Sequence, residues 1–177
     1  MRDPFPGPHG RALLKPVRVI GLGSPYGDDS IGWDLVEELA RWNELPPGVA
    51  VFSRCGRPDA ELLEMLGSPG PVILIDAMRS GRPPGTVQCF AAADVMAGTG
   101  MISTHDFGIK SALTLADAIG GLVAEVRILG VEIAPEPGPP GSRSSPPAAS
   151  SGARGGVEIL NEIKKILMSA VKEHGYL

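Results

Sequence analysis

The chain has 177 residues, of which 43% are hydrophobic and 20% charged, and its formal net charge is −4. This length favours one domain, residues 1–177, with a sizeable core. Because the charge is weakly acidic and the basic residues are scattered, we expect no binding to nucleic acid or to an anionic membrane surface.

The sequence gives no sign of export or of a membrane segment. No apolar run reaches the roughly 20 residues that a membrane span needs, and the N-terminus lacks the apolar stretch of a secretory signal. The two cysteines, Cys55 and Cys89, show neither disulfide nor metal-type spacing. A reducing, cytoplasmic setting is therefore expected.

Short apolar runs alternate with segments of helical periodicity. Strands are predicted at Val17–Leu22, Val49–Ser53, Pro71–Ala77, Gly85–Phe90 and Glu125–Ile133. Helices are predicted after the first, second and fourth strands and at the C-terminus. The fourth strand should run antiparallel to the third, because it begins only nine residues after Asp76. The pattern predicts an α/β fold with a mainly parallel five-stranded sheet between helices.

Two segments stand apart from this pattern. Residues 1–16 form a Pro- and Gly-punctuated N-terminal arm. In residues 137–156, 18 of 20 positions are Pro, Gly, Ser or Ala. Such a composition buries too little apolar surface to offset its ordering entropy, so a flexible insert is predicted. An amphipathic C-terminal helix, 157–173, should follow and dock on the sheet.

The loop after the first strand, "GLGSPYGDDSIGW", resembles the setting of a phosphate-binding turn. Gly21 and Gly23 fit the dinucleotide fingerprint, but Tyr26 holds the third glycine position. Asp28 and Asp29 would also repel a phosphate from the following helix N-terminus. A nucleotide or small-molecule binding module is thus an alternative that fits poorly. Ser30 or Asp29 could cap the following helix. Capping and the helix dipole would explain one carboxylate of the pair at that N-terminus, and would leave the second unexplained.

Three polar residues are candidates for one site. Asp29 lies beyond the end of the first strand, and Asp76 closes the most apolar strand, where open α/β sheets place their ligand crevices. His105 in "ISTHDFG" follows a predicted loop, Ala91–Thr104, and precedes a helix, whose dipole keeps an imidazole neutral and able to bind metal. Two carboxylates and one imidazole are compatible with Zn, Ni or Mn. Separate structural roles for Asp76 and His105 are the alternative.

At these residues the sequence resembles the NiFe-hydrogenase maturation endopeptidases. "GLGSPYGDDSIG" matches that family's glycine-rich loop, which ends in a D-D/E-x-x-G pattern, and "ILIDAM" matches its strand-closing aspartate. "STHDFGIKSAL" matches its histidine at a helix start, and "ILGVEIAPE" matches the end of its last strand. The four pieces occur in the family's order across residues 17–136. Three departures are the loop, which is one residue shorter than usual, Ser24, where the family generally has Asn, and the insert after Glu136.

The resemblance implies a three-layer α/β/α sandwich in which Asp29, Asp76 and His105 bind nickel. Asp28 is the second choice for the first ligand and a candidate proton carrier. The substrate implied is the nickel-loaded precursor of a hydrogenase large subunit, from which a C-terminal extension is removed. Nickel would arrive with the substrate, and Zn or Cd would substitute in the isolated protein.

Two further functions are weighed against this one. A cysteine protease built on Cys55 and His105 fits poorly, because "SRCGRP" lacks a nucleophile signature. A non-catalytic maturation scaffold would bind the precursor without cutting it.

Overall fold

The computed structural model describes residues 15–25, 27–58, 60–98, 106–120, 125–134 and 153–176. Five strands form one sheet: β1 (Val17–Leu22), β2 (Ala50–Cys55), β3 (Val72–Met78), β4 (Val87–Ala91) and β5 (Val126–Glu132). The helices are α1 (Ile31–Ala40), α2 (Ala60–Leu66), α3 (Ala92–Ala97), α4 (Asp106–Ala118) and α5 (Ala153–Glu173), and a 3-10 turn, Gly27–Ser30, precedes α1.

The strand order is β2-β1-β3-β5-β4. β1 pairs in parallel with β2 and β3, and β3 pairs in parallel with β5. β4 pairs with β5 in the antiparallel direction predicted for it. Every residue of the central strand β3 is buried, as expected for a strand covered on both faces. The predicted mainly parallel sheet is confirmed.

Successive side chains along each strand lie on opposite faces of the sheet and pack into two separate hydrophobic cores. On one face, α1 and α5 pack over residues such as Val19, Ile73 and Leu129. On the other face, α2, α3 and α4 pack over residues such as Ile20 and Leu74. Helices therefore cover both faces of the sheet, which confirms the three-layer α/β/α arrangement.

The structure differs from the sequence-based prediction at two helices. α3 lies inside the stretch 91–104 that was predicted as a loop; it spans only six residues, too few for its periodicity to be recognised. α5 begins at Ala153, four residues before the predicted start at 157. The last proline lies at Pro147, so nothing in residues 153–156 prevents helix formation. The rest of the predicted insert, and arm residues 1–14, lie outside the described residues.

No helix within the described ranges is long and apolar enough to cross a membrane.

Candidate active site

The parallel strands β1, β3 and β5 end at one edge of the sheet, and the candidate site lies there. The turn Gly27–Ser30, which carries Asp28 and Asp29, contacts β3. Asp76 is the fifth residue of that strand and pairs with Gly130 of β5. Two sequence-predicted carboxylate positions, Asp29 and Asp76, therefore belong to elements that meet at the same edge of the sheet.

Close backbone packing fixes this turn on the sheet. A Cβ added to Gly32 would lie 2.2 Å from the carbonyl oxygen of Leu22 and 2.6 Å from that of Ile75, so α1 begins in direct backbone contact with β1 and β3. Gly23 has φ +151°, and a Cβ there would lie 2.2 Å from the carbonyl oxygen of Asp29. Glycine is needed at both positions because no side chain fits.

This packing accounts for the glycines that resemble a nucleotide motif. Gly21 faces the backbone of Gly32, and Gly23 faces that of Asp29, whose carbonyl oxygen also accepts a hydrogen bond from Ser24 N at 3.3 Å. The glycine spacing is thus explained by contact between strand, turn and helix, with no need for a pyrophosphate.

Asp76 is completely buried, although it lies near the carboxyl edge of the sheet. Its Oδ1 accepts a hydrogen bond from Ala77 N at 2.9 Å. Asp76 lies two residues after Leu74 in β3, so both side chains lie on the same face of the sheet, the face that α4 covers. Burial of an ionised carboxylate costs several kcal/mol unless partners stabilise it.

The head of α4 lies at the same edge of the sheet. A Cβ on Gly108, in its first turn, would lie 2.9 Å from Cγ of Pro58, which follows the carboxyl end of β2. His105 immediately precedes this helix in the sequence. His105 and the side chain of Asp28 lie outside the described residues, so their predicted roles stay predictions.

Ser30, which follows the half-buried Asp29, does not form the simple side-chain cap considered for α1. Ser30 occupies the N-cap position with helical dihedral angles and makes no side-chain cap. Its hydroxyl instead donates to Oδ2 of Asp34 at 2.9 Å. The 3-10 turn that leads into α1 brings Ser30 into a helical conformation, whereas a capping residue adopts an extended one.

Within the described part of the chain, no three His, Cys, Asp or Glu side chains are grouped closely enough to hold a metal ion. Of the predicted ligands, Asp29 and Asp76 lie within the described residues, and their role as ligands stays a prediction.

A third carboxylate at this edge, Glu132, was not singled out from the sequence. It is 3% exposed, and its two oxygens accept hydrogen bonds from Ser80 N at 2.9 and 3.0 Å, Ser80 Oγ at 2.7 Å and Gly81 N at 2.9 Å. Burial acts to raise the pKa of Glu132, but the hydrogen bonds from Ser80, Gly81 and Arg82 hold it below its usual value. Glu132 thereby fastens the segment that follows β3. The available signal was a lone acid in an apolar run, "ILGVEIA".

The rival cysteine nucleophile finds no support in the geometry. Cys55 is completely buried, and its Sγ donates to the carbonyl oxygen of Arg57 at 3.4 Å. The carbonyl oxygen of Cys55 accepts the indole N–H of Trp33 at 3.2 Å. A buried thiol of this kind has a packing role.

These features define an α/β/α protein with acidic residues at the carboxyl edge of its sheet. The family model of hydrogenase maturation proteases, HycI, matches residues 33–150 of this chain. The chain therefore belongs to the hydrogenase maturation protease family, as the sequence resemblance indicated. The matched region includes Asp76 and His105 and begins just after Asp28 and Asp29. A comparison with curated protein sequences finds no significant match.

Solved structures from the same family share this fold. The hydrogenase maturating endopeptidase HybD from Escherichia coli is 24% identical, with a TM-score of 0.64 over 90% of this chain and 94% of that one. The hydrogenase maturation protease HycI from Thermococcus kodakarensis is 19% identical, with a TM-score of 0.57 over 91% of this chain and 95% of that one.

Proposed function

We propose that this protein is an endopeptidase that removes the C-terminal extension of a nickel-loaded NiFe-hydrogenase large-subunit precursor. One observation carries the proposal: in a chain of the maturation protease family, the turn bearing Asp28 and Asp29 is held by backbone packing against the strand that ends near Asp76. Recognition of a cation requires carboxylates in fixed positions, and this packing fixes the acidic turn beside β3 at the carboxyl edge of the sheet.

Nickel enters this proposal as part of the substrate. Asp29, Asp76 and His105 complete its coordination, and a carboxylate–imidazole donor set suits nickel chemically. The metal supplies Lewis-acid chemistry at the scissile carbonyl or at water. Asp28, not needed as a ligand, is the group proposed to move a proton. Cleavage would then depend on metal loading, because an empty precursor lacks the group that the ligands recognise.

The same donor set should bind a soft or borderline dication in the isolated protein. Zn²⁺ and Cd²⁺ are proposed as substitutes, because both accept carboxylate and imidazole ligands. The setting proposed is a reducing cytoplasm, which the two free cysteines support.

The deciding experiment incubates the full chain with a large-subunit precursor and determines the mass of the product. Nickel-loaded precursor should be shortened at its C-terminus, and nickel-free precursor should remain intact. Equal cleavage of both forms would remove nickel from the proposal while keeping the protease. Binding of loaded precursor without any cleavage would favour the scaffold over the enzyme.

A further inference from the structure

A groove lies at the opposite edge of the sheet from the candidate active site. It has a volume of about 680 Å³ and lies between the segment after α1 and the C-terminal half of α5. Its lining consists of Trp42, Glu44, Asn161, Lys164, Lys165, Met168, Ser169 and Lys172. Strands of six to seven residues separate it from the carboxyl edge, a distance of about 20 Å. It is therefore a surface separate from the proposed site of cleavage.

The groove is positively charged in a protein whose formal net charge is −4. Three lysines line it against one carboxylate, that of Glu44. Among the ion pairs of the described residues, none includes Lys164, Lys165 or Lys172. Their charge is thus not neutralised by neighbouring carboxylates there.

α5 separates its charges between two sides. Glu158 and Glu162 line a different groove, beside the start of β4. Glu173, near the lysines in sequence, is instead paired with Arg127 of β5 and accepts a hydrogen bond from Ser169 Oγ at 2.9 Å. The side of the helix that faces Trp42 therefore remains basic.

The groove also has an apolar wall. Trp42 packs partly against the core, and the Lys164 ammonium lies 5.0 Å from the centre of its ring. Met168 adds a flexible apolar side chain of the kind that adapts to different ligands. The indole Nε1 of Trp42 is buried with no acceptor among the described residues.

From this combination we propose that the groove is a docking site for an acidic peptide segment of a partner protein. Its carboxylates would pair with Lys164, Lys165 and Lys172, and an interspersed apolar side chain would contact Trp42 and Met168. A peptide fits better than a nucleic acid, because three lysines beside Glu44 in an acidic protein do not form the extended basic surface that phosphate backbones need. This proposal is independent of the protease activity.

The test is a titration of the full chain, labelled with ¹⁵N, with a short peptide in which Glu–Asp pairs alternate with Leu. The two tryptophans give two indole N–H signals. The signal of Trp42 should shift on binding, while that of Trp33, already bonded to Cys55 O, should stay in place as an internal reference. A peptide with Gln and Asn in place of the acids is the matched ligand control, and added salt should weaken binding of the acidic peptide.

Charge-reversal variants of the protein test the role of the lysines, and one of these variants serves as the control. Lys165→Glu combined with Lys172→Glu should weaken binding about tenfold, because two attractive contacts with the acidic peptide become repulsive. Lys110→Glu, on α4 across the sheet, changes a charge of the same sign and should alter affinity less than about twofold. An unmoved Trp42 signal, equal binding of the uncharged peptide, or a response only to an oligonucleotide or an anionic vesicle would each overturn the proposal.

Discussion

Gly21 and Gly32 meet backbone to backbone: a Cβ added to Gly21 would lie 2.1 Å from the carbonyl oxygen of Gly32. This contact presses the start of α1 onto β1 and thereby sets the position of the turn that carries Asp28 and Asp29. The proposed chemistry therefore depends on two residues that have no side chains.

Gly32→Ala should unfold more easily than the parent protein, because its methyl group would collide with the carbonyl oxygens of Leu22 and Ile75. We expect a loss of about 3 kcal/mol in the free energy of unfolding, measured by urea denaturation. Gly156→Ala is the matched control: nothing lies within 4 Å of a Cβ at that helical position, so stability should rise by about 0.5–1 kcal/mol. Equal stability of the Gly32 variant and the parent would contradict the packing described.

Asp76→Asn should abolish cleavage of nickel-loaded precursor, because an amide is a weaker metal ligand than a carboxylate. Its carbonyl oxygen can still accept the hydrogen bond from Ala77 N, so the melting temperature should not fall appreciably. Mass analysis of the precursor and thermal denaturation test the two halves of this prediction. Asp117→Asn, on the exposed far end of α4, makes the same chemical change and should leave both quantities unaltered. Unimpaired cleavage by the Asp76 variant would remove this residue from the site.

His105→Ala should likewise abolish processing, because the proposed coordination loses its only nitrogen ligand. Its effect on the free energy of unfolding should stay within about ±0.5 kcal/mol, as for a typical surface substitution. His174→Ala is a suitable control, since His174 lies on the far side of the sheet and contacts the carbonyl oxygen of Ala170. A lower melting temperature with intact cleavage would identify His105 as a structural residue.

The roles proposed for the adjacent acids can be separated by metal binding. Asp29→Asn should weaken Zn²⁺ or Cd²⁺ binding to the isolated protein, because it removes a ligand. Asp28→Asn should leave that affinity nearly unchanged and reduce cleavage, because it removes a proton carrier. Calorimetric titration with the metal, compared with the cleavage rate, distinguishes the two. If Asp28→Asn weakened metal binding and Asp29→Asn did not, Asp28 would be the ligand.

Glu132→Gln should destabilise the protein at neutral pH by about 1–3 kcal/mol, because an amide cannot accept all the hydrogen bonds that the carboxylate accepts. The pKa of Glu132 is held below the ordinary 4.5, so its ionised form stabilises the fold above that pH. This stabilisation is lost as the pH falls through the lowered pKa, and the difference between variant and parent should narrow below about pH 4.5. Glu64→Gln, at an exposed position of α2, should show no such pH dependence. If the free energy of unfolding changed with pH in the same way for the Glu132 variant and the parent, ionised Glu132 would not have the stabilising role described.

The sheet was predictable from sequence because its strands are apolar runs with sharp ends. Val72–Met78 is buried throughout, and the short connection after it correctly predicted a reversal of direction at β4. The strand order could not be read from the same pattern: β5 lies between β3 and β4, a long-range arrangement that hydrophobic periodicity does not encode. The six-residue helix α3 was missed for lack of length.

The candidate site was predictable only in part. The position of Asp76 follows from its place at the end of an apolar strand, and that of Asp29 from the loop after β1. Glu132 was overlooked because its role comes from hydrogen bonds that it accepts from the backbone N–H groups of Ser80 and Gly81, which are far away in the sequence. Neither residue type nor spacing in "ILGVEIA" reveals those partners.

The sheet is complete at Glu132, and of the described elements only α5 follows it. This helix contributes a row of buried apolar side chains to one core: Ile159, Ile163, Leu167, Ala170 and Val171. All five strands and the acidic turn thus belong to one continuous piece of chain, whereas α5, which covers one face of the sheet together with α1, belongs to another. The molecule is therefore suited to fragment complementation: separate synthesis of the two pieces would leave each with an apolar surface whose best match is the other.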